Sequence, residues 1–342
     1  MEGHLPDARL PGPIAISLGD PAGIGPEVIA KAWSLRAQEQ LPPFFVVGDM
    51  AAIRAVWDGP LERIHNPSDA ADMFDRALPC LQVAEAGEII PGSPTLDGAR
   101  CAFQSLECAT GLVRAESASA LVTGPVSKAQ LAQAGFTHPG QTEFVAERCG
   151  VSRENIVMML AGPGLRVVPL TIHIPFVQVP EMLTASLIRS RAIATVRGLK
   201  RFFGIERPRL AMAGLNPHAG EGGLLGNEET TLIEPALNAL REEGIDISGP
   251  LSADGMFTPR ARATYDAALC CYHDQALIPI KTLCFDEGVN ITLGLPIVRT
   301  SPDHGTAFPL AGHDQADPGA MIAAIRMARD AELCRRAQAD LV

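Results

Sequence analysis

The sequence lacks the features that mark several classes of protein. Its eight cysteines form no C-x-x-C pair, so their spacing indicates neither a zinc ribbon nor a disulfide framework, and we expect reduced, mostly buried thiols. No apolar run approaches the roughly 18 residues that a membrane span needs, and the first residues, MEGHLPDARLPGP, contain no apolar core of a signal peptide. We therefore expect a cytoplasmic protein without a membrane partner.

Positive charge is also in short supply. The chain has 28 Lys and Arg against 39 Asp and Glu, which gives a formal net charge of -11. This balance argues against a nucleic-acid-binding surface, although it is compatible with a local basic pocket for an anionic substrate. With 342 residues, of which 47% are hydrophobic, the chain is long enough for one large or two medium folded domains.

Short apolar segments alternate with amphipathic ones along the chain. This alternation predicts an α/β fold with a largely parallel sheet. The predicted strands cover residues 14–18, 44–49, 81–86, 119–123 and 209–215, together with two segments joined by the Gly-Pro-Gly turn at 162–164. The main predicted helices cover residues 26–40, 50–57, 97–117, 140–150, 184–203, 227–243 and 317–333.

A glycine-rich loop, GDPAGIGPE, follows the first predicted strand. Glycines before a helix allow main-chain N–H groups to approach a phosphate. The spacing of Gly19, Gly23 and Gly25 matches neither G-x-G-x-x-G nor the Walker pattern, so a tight turn is the favoured interpretation.

Three of the eight histidines share one placement. His173, His218 and His273 lie at or after the C-terminal ends of apolar segments. Ligands of open α/β sheets bind beyond the carboxyl ends of strands, so these imidazoles can converge although they are far apart in the sequence. Three neutral imidazoles suit a catalytic divalent ion. Without H-x-x-x-H spacing, hydrogen-bonded loop histidines are an equal alternative.

Basic and hydroxyl side chains indicate an anion site near the same predicted edge. Lys281 and Arg299 follow short apolar segments, and the guanidinium of Arg299 has the fork that binds phosphate or carboxylate in a bidentate manner. Thr142 is the predicted N-cap of a helix, where a hydroxyl and N–H groups suit a phosphate. The alternative is a pair of solvated surface cations and an ordinary helix cap.

Several sequence blocks between about residues 14 and 312 form a pattern that is more specific than any one of them. The blocks are GDPAGIGPE, TGPVSK, QTEF, TIHIP, GLNPHAGE, PLSADGMF, YHDQALIPIK and GVNITLGLPIVRTSPDHGTAF. Together they resemble the 4-hydroxythreonine-4-phosphate dehydrogenase family of pyridoxine biosynthesis.

The resemblance implies a fold similar to that of isocitrate and isopropylmalate dehydrogenases. That fold has two α/β subdomains around a cleft and is not a Rossmann dinucleotide domain, so the missing G-x-G-x-x-G motif is expected. The first subdomain would take in residues 1–125 and 301–342 with the dinucleotide-binding loop. The second would take in residues 126–300 with the metal and substrate site and the dimer contacts.

The resemblance also implies the residues of the site. The metal ligands would be His173, His218 and His273. The substrate-binding residues would be Gln141, Thr142, Lys281, Asn290 and Arg299. Catalysis would fall to Lys281 and Asp254. The cofactor-binding residues would be His304, Gly305 and Thr306.

The implied reaction is oxidation by NAD or NADP of the C3 hydroxyl of 4-phosphohydroxy-L-threonine, followed by loss of CO2 to give 3-amino-2-oxopropyl phosphate. The implied ion is divalent, with zinc as the first choice and magnesium or cobalt as alternatives. Such an ion lowers the pKa of a bound substrate hydroxyl. The implied assembly is a homodimer whose sites take residues from both subunits.

Two positions depart from the family pattern. Gln141 stands where the family usually has histidine, in a GHTE block, and its amide can donate a hydrogen bond but cannot carry charge. Pro309 stands where the family usually has aspartate, in GTAFDIAG, so a carboxylate near the dinucleotide loop is missing. The first departure bears on substrate identity, and the second bears on cofactor affinity and on the choice between NAD and NADP.

Two other functions stay open on the sequence. A dehydrogenase of the same fold that acts on threonate 4-phosphate, erythronate 4-phosphate or a dihydrodiol acid would use the same groups. An acyltransferase of the phosphotransacetylase type would share the fold without a metal or a dinucleotide.

Overall fold

Apolar segments form the strands and amphipathic segments form most helices in the computed structural model, which describes residues 10–339. Residues 1–9 and 340–342, and with them most of the segment searched for a signal peptide, lie outside the described residues. The chain divides into one unit of Met1–Val151 with Leu295–Val342 and a second unit of Ser152–Gly294. The predicted α/β class is confirmed. Residues 126–151 and 295–300, which were predicted to lie in the second subdomain, belong to the first unit.

The elements up to residue 151 alternate between strand and helix. They are β1 (Ile14–Ser17), α1 (Gly25–Ser34), β2 (Phe44–Gly48), α2 (Met50–Arg54), β3 (Leu61–Ile64), α3 (Asp69–Met73), β4 (Leu78–Gln82), α4 (Leu96–Arg114), β5 (Leu121–Thr123), α5 (Lys128–Gln133) and α6 (Gln141–Arg148).

The second unit begins with a hairpin and continues with longer connections. Its elements are β6 (Val157–Gly162), β7 (Leu165–Pro169), α7 (Val179–Met182), α8 (Ala185–Phe203), β8 (Arg209–Ala213), α9 (Glu234–Glu242), β9 (Asp246–Leu251), α10 (Ala253–Met256), α11 (Pro259–Arg262), β10 (Ala267–Cys270), α12 (His273–Leu283) and β11 (Val289–Leu293). The chain then returns to the first unit with β12 (Arg299–Pro302) and α13 (Gly319–Ala339).

The strands of the first unit are parallel. Their order is β3-β4-β2-β1-β5-β12, and every neighbouring pair runs in the same direction. All residues of β1 and β2 are buried, as expected for parallel strands covered by helices on both faces. The parallel direction brings the C-terminal ends of β1, β5 and β12 to one edge, where the loops containing GDPAGIGPE, TGPVSK and DHGTAF begin.

The strands of the second unit have the order β11-β6-β7-β10-β8-β9. The pairs β11/β6 and β6/β7 are antiparallel, and the predicted Gly-Pro-Gly turn joins β6 to β7. The strands β7, β10, β8 and β9 are parallel neighbours. Apolar side chains from these strands and from α12, such as Val167, Ala268 and Ile280, form a buried core.

Some boundaries differ from the predicted ones. Strand β3 was not predicted, because its sequence LERI buries only its first and last residues. Strand β4 begins at Leu78 rather than at residue 81, and α13 continues to Ala339 rather than ending at 333. None of the helices between residues 10 and 339 combines the length with the apolar character that a bilayer crossing requires.

The thiols match the sequence expectation. All eight cysteines are free, and five of them are buried. Burial raises the pKa of Cys80 and of Cys101 to about 12, because a thiolate is poorly solvated in an apolar surrounding. The prediction of unpaired, mostly buried thiols is confirmed.

Candidate active site

Three adjacent parallel strands deliver the histidines of the second unit. Strand β10 lies between β7 and β8, so the chain leaves all three strands at the same edge. His173 follows β7, His218 follows β8 and His273 follows β10. The prediction that all three belong to strand ends needs one correction, because β7 ends at Pro169 and does not continue to His173.

At the end of β7, a side-chain hydrogen bond takes the place of the main-chain hydrogen bonds to β10. The main-chain N–H of Leu170 still donates to Cys270 O at 2.8 Å. One residue later, the Thr171 hydroxyl donates to Cys271 O at 2.8 Å. The chain then turns away, and His173 has a positive φ of 53°, a conformation that is uncommon for residues other than glycine.

His173 and His273 lie side by side. Their ring centroids are 5.6 Å apart and their planes make an angle of 42°. Two imidazoles that share one tetrahedral ion, with metal–nitrogen distances of about 2.1 Å, place their ring centroids about 5 Å apart. The pair therefore has a spacing that fits a common divalent ion.

The neighbour of His273 fixes which of its nitrogens is available. Its Nδ1 lies 2.7 Å from Oδ1 of Asp274, and a carboxylate oxygen at the pH of the cell accepts a hydrogen bond. Nδ1 must then carry the proton, which leaves the lone pair of Nε2 for a ligand. Histidines that ligate metals commonly make such a bond to a carboxylate. Asp274 was not singled out in the sequence, although the His-Asp dipeptide was the available signal.

His218 lies on a left-handed turn. Residues 218–222 all have positive φ angles. A buried carboxylate, Glu229, holds the start of this turn by accepting from the main-chain N–H of Asn216 at 2.7 Å and from its Nδ2 at 2.9 Å. The sequence offered no periodic signal for this turn beyond its glycines.

Asp254 lies within electrostatic reach of His218. Its carboxylate accepts a hydrogen bond from the Ser252 hydroxyl, and this bond, with smaller contributions from main-chain N–H groups and from His218, lowers the pKa of Asp254. The side chain is exposed. A carboxylate is therefore present at this position throughout the neutral range.

Two of the three predicted metal ligands are brought together within one chain. Between residues 10 and 339, no group of three or more His, Cys, Asp or Glu side chains is close enough together to hold an ion as it stands. A pocket of about 240 Å³ adjoins the histidine pair. It is lined by Thr171, His173, Ile174, Phe176, Val179, Tyr272, His273 and Asp274.

The first unit contains a buried arginine with hydroxyl partners. Arg299 is only 3% exposed. Its Nη1 donates to the Thr142 hydroxyl at 3.1 Å, and its Nη2 donates to the Thr123 hydroxyl at 2.6 Å. Burial lowers the pKa of Arg299 to about 10 and Glu143 opposes that change, so the guanidinium stays cationic at neutral pH.

This arrangement can bind an anion through the hydroxyls. A hydroxyl whose oxygen accepts from a guanidinium keeps its own proton for donation. Thr142 is not the N-cap as predicted. Gly140 occupies the cap, and Thr142 is the second residue of α6, so its hydroxyl is turned toward Arg299. Thr123 was missed in the sequence, and its position at the end of an apolar strand was the only signal.

Gln141 presents a buried acceptor in addition to its amide donor. Its Nε2 donates to Gly124 O at 3.2 Å, and since a carbonyl oxygen can only accept, this contact fixes the orientation of the amide. Its Oε1 is buried and has no hydrogen-bond partner among the described residues. A ligand group near this atom would need to be a donor.

Lys281 and Asn290 belong to the second unit. Lys281 is an exposed residue of α12, about 12 Å along the helix axis from His273 by the ordinary rise per residue. The short apolar segment that precedes it is helical and contains Pro279. Asn290 lies in β11, and its Oδ1 is buried with no hydrogen-bond partner among the described residues.

The predicted dinucleotide loop contacts the glycine-rich loop. The N–H of Ile24 donates to Thr306 O at 3.0 Å. A Cβ at Gly23 would lie 3.0 Å from the same oxygen, so glycine permits this close approach. The Nδ1 of His304 lies 3.1 Å from Gly305 O. The tight-turn interpretation of residues 19–25 is thus incomplete, because that loop also packs on residues 304–306.

These observations define an α/β protein with two neighbouring imidazoles in one unit and a buried guanidinium with two hydroxyl partners in the other. The chain belongs to the family described as pyridoxal phosphate biosynthetic protein PdxA, which matches residues 40–328.

Named relatives agree with this assignment. A 4-hydroxythreonine-4-phosphate dehydrogenase of Zymomonas mobilis is 60% identical over 96% of this chain and 98% of its own length. The crystal structure of a 4-hydroxythreonine-4-phosphate dehydrogenase from Klebsiella pneumoniae is similar at a TM-score of 0.83, with 34% identity over 94% of this chain and 99% of that one. A terephthalate 1,2-cis-dihydrodiol dehydrogenase from Burkholderia xenovorans is similar at a TM-score of 0.64, with 31% identity over 93% of this chain and 98% of that one.

Proposed function

We propose that this chain oxidises 4-phosphohydroxy-L-threonine at C3 with NAD or NADP and releases CO2 and 3-amino-2-oxopropyl phosphate, a step toward pyridoxal 5'-phosphate. The observation that carries the proposal is the pairing of His173 with His273 in a chain of this family. The three relatives named above are dehydrogenases, which favours oxidation over the acyl transfer that the fold would also permit.

Imidazoles of the second unit would hold the ion. His173 and His273 have a suitable spacing, and Asp274 directs the Nε2 lone pair of His273 outward. A divalent ion supplies Lewis acidity that lowers the pKa of a bound hydroxyl. Nitrogen ligands suit zinc or cobalt better than magnesium, which prefers oxygen, so zinc is our first choice.

The substrate phosphate and amine would contact both charged and neutral side chains. The Thr142 hydroxyl, polarised by Arg299, would donate to the phosphate, and we propose Lys281 as a further cationic substrate-binding residue. Gln141 Oε1 and Asn290 Oδ1 are buried acceptors, which suit the ammonium and hydroxyl protons of the substrate. We therefore assign the Oε1 atom of Gln141 to the substrate's donor groups.

Two side chains would manage protons. Lys281 can give a proton to the carbon that loses CO2, or relay one from the hydroxyl. Asp254, which is ionised at neutral pH, would accept a proton or orient the ammonium group. These roles place one cation and one anion at the reacting part of the substrate.

The dinucleotide would bind the first unit at residues 304–306. The loop lies against the glycine-rich segment that precedes α1, and the dinucleotide would bind beside this contact. Pro309 provides no carboxylate for a ribose hydroxyl, so we propose that the chain accepts NADP as well as NAD.

A homodimer would complete the site. Large apolar side chains follow His173 and His218 in the sequence and are exposed: Phe176 is 64% exposed, Val177 83% and Leu224 83%. Exposed apolar groups that form a contiguous patch usually mark an interface. A partner subunit seated there would bring its own His218 to the pair His173/His273, and this would supply the third ligand.

The test is NADH or NADPH formation by the purified, metal-loaded protein. We expect turnover of 4-phosphohydroxy-L-threonine, and a loss of at least about 100-fold in kcat/KM for His273→Ala because the Lewis acid is lost. Arg299→Lys should lose about tenfold or more, since an ammonium lacks the planar fork with which the guanidinium reaches both hydroxyls. Two exposed positions, His65→Ala and Arg189→Lys, are the matched controls and should retain wild-type kinetics.

The similarity to a dihydrodiol dehydrogenase and the presence of Gln141 favour one second candidate. A related hydroxy acid, such as threonate 4-phosphate or a cis-dihydrodiol acid, would bind the same ion and dinucleotide. Turnover of such a substrate without turnover of 4-phosphohydroxy-L-threonine would refute the proposed substrate but not the proposed metal-dependent dehydrogenase reaction.

A further inference from the structure

The main chain of Cys271 is held on both sides by buried side chains. Its C=O accepts from the Thr171 hydroxyl at 2.8 Å, and its N–H donates to Gln275 Oε1 at 2.6 Å. The other end of the Gln275 amide donates to Gly214 O at 2.8 Å. Thr171 is 6% exposed and Gln275 is 9% exposed, so water competes little for these bonds.

These contacts join the ends of three strands. Thr171 follows β7, Cys271 follows β10 and Gly214 follows β8. Regular ladder bonds stop at these points, and the side chains continue the connection across the edge. Thr171 lies two residues before His173, and Cys271 lies two residues before His273. The hydrogen bond from Thr171 to Cys271 therefore connects the two segments that carry the histidines.

Gln275 does more than a helix cap requires. As the third residue of α12 it reaches back to an N–H before the helix, in the manner of a capping box. A cap needs only that acceptor. The second bond, to Gly214 O, serves no orphan group of α12 and instead fixes β8 relative to β10.

We infer that Thr171 and Gln275 are positioning residues that fix the spacing of His173 and His273 by clamping the main chain of Cys271 between them. This inference rests on the proposed role of the two histidines as metal ligands. Neither side chain is proposed as a metal ligand, since the hydrogen bonds of both go to the main chain. Removing either bond leaves a buried polar group unpaired and frees the loop, so the imidazoles lose their common geometry.

The test uses the full chain with Co²⁺ as the probe, followed by calorimetric titration and by the visible absorption of the bound ion. We expect Thr171→Val to weaken Co²⁺ binding by about 10-fold to 100-fold, the usual effect of residues that support metal ligands, and to change the absorption spectrum. Thr171→Ser keeps the hydroxyl and should restore binding to near the wild-type value. Gln275→Met, which loses both bonds, should weaken binding in the same way and gives a second route if Thr171→Val does not fold.

The matched control is Thr195→Val. Thr195 is also fully buried, and its hydroxyl also donates to a main-chain carbonyl, Arg191 O, at 2.7 Å. This variant should lose similar stability without a change in Co²⁺ affinity or spectrum. If folded Thr171→Val or Gln275→Met binds Co²⁺ as the wild type does, the positioning role is refuted, and the proposed metal site is not. Unchanged binding in His173→Ala and His273→Ala overturns the metal site itself, and the inference with it.

Discussion

A carboxylate inside the first unit illustrates what one residue can contribute. Asp20 is 2% exposed, and its Oδ1 accepts from the Ala22 N–H at 3.1 Å. Burial raises the pKa of Asp20, and the hydrogen bond from Ala22 opposes this change. The ionised form is therefore less favourable in the folded protein than in the unfolded chain.

We predict that Asp20→Asn raises the free energy of unfolding at neutral pH. The amide oxygen keeps the bond to Ala22 and carries no charge to desolvate. With a folded pKa above the unfolded value near 3.8, the wild type regains this stability as the pH falls through the folded pKa, because the proton then binds the folded state more tightly. Urea unfolding from pH 7 to pH 4 should show the two proteins converging. A variant that is less stable at pH 7 would contradict the sign.

At this scale the sequence supplied residue types and the structure supplied their partners. Arg299 and Thr142 were identified as anion-binding groups, but their mutual hydrogen bond depends on a strand and a helix far apart in the chain. Gln141 was predicted to donate to a ligand. One of its two amide N–H groups donates to Gly124 O, a contact that no local pattern reveals.

The left-handed turn before α9, residues 218–222, is the element that the local sequence predicts least well. Gly220 has a φ of 79°, and a Cβ there would lie 2.7 Å from Glu229 Oε2 and 3.0 Å from Gly226 O. Gly222 has a φ of 67°, and nothing lies within 4 Å of a Cβ at that position. The two glycines share a backbone conformation and differ only in what surrounds them.

This pair isolates the contribution of Glu229. We predict that Gly222→Ala costs about 1 kcal/mol of unfolding free energy, the strain of a left-handed L-residue. Gly220→Ala should cost about 1–3 kcal/mol more, because its methyl group displaces the buried carboxylate that holds Asn216. Urea unfolding of both variants measures the difference. Equal losses would mean that Glu229 does not hold the turn.

Most helices follow from periodicity. The predicted helix at 184–203 is observed as α8, which begins after Thr184, whose hydroxyl accepts from the Leu187 N–H at 3.1 Å. The segment IPIK in α12 is helical although Pro279 lies inside it. The helix α12 packs against β7 and β10, and such tertiary packing outweighs a single unfavourable residue.

For the whole molecule, the proposed homodimer predicts a specific pattern of subunit complementation. If His218 of one subunit completes the pair His173/His273 of the other, mixed dimers of His218→Ala and His273→Ala contain one intact site. Random exchange gives half of the dimers this composition, so about a quarter of wild-type activity should return. Mixtures of His173→Ala with His273→Ala should stay inactive, because those residues pair within one chain.

The measurement is dehydrogenase activity after joint refolding of the two variants, with light scattering to establish the assembly. Recovery in both mixtures would contradict the pairing of His173 with His273. Recovery in neither would contradict the shared site, provided that each variant still forms dimers.

The sequence by itself determined the α/β class, the family through its blocks of motifs, the order of the strands along the chain and the types of side chain available for chemistry. Only the tertiary structure decided which strands are neighbours, and hence that β7, β10 and β8 leave at one edge with Thr171 and Gln275 joining their ends. The physical reason is that periodicity and capping are local properties of a segment, whereas strand order and side-chain hydrogen bonds depend on contacts between residues separated by many tens of positions.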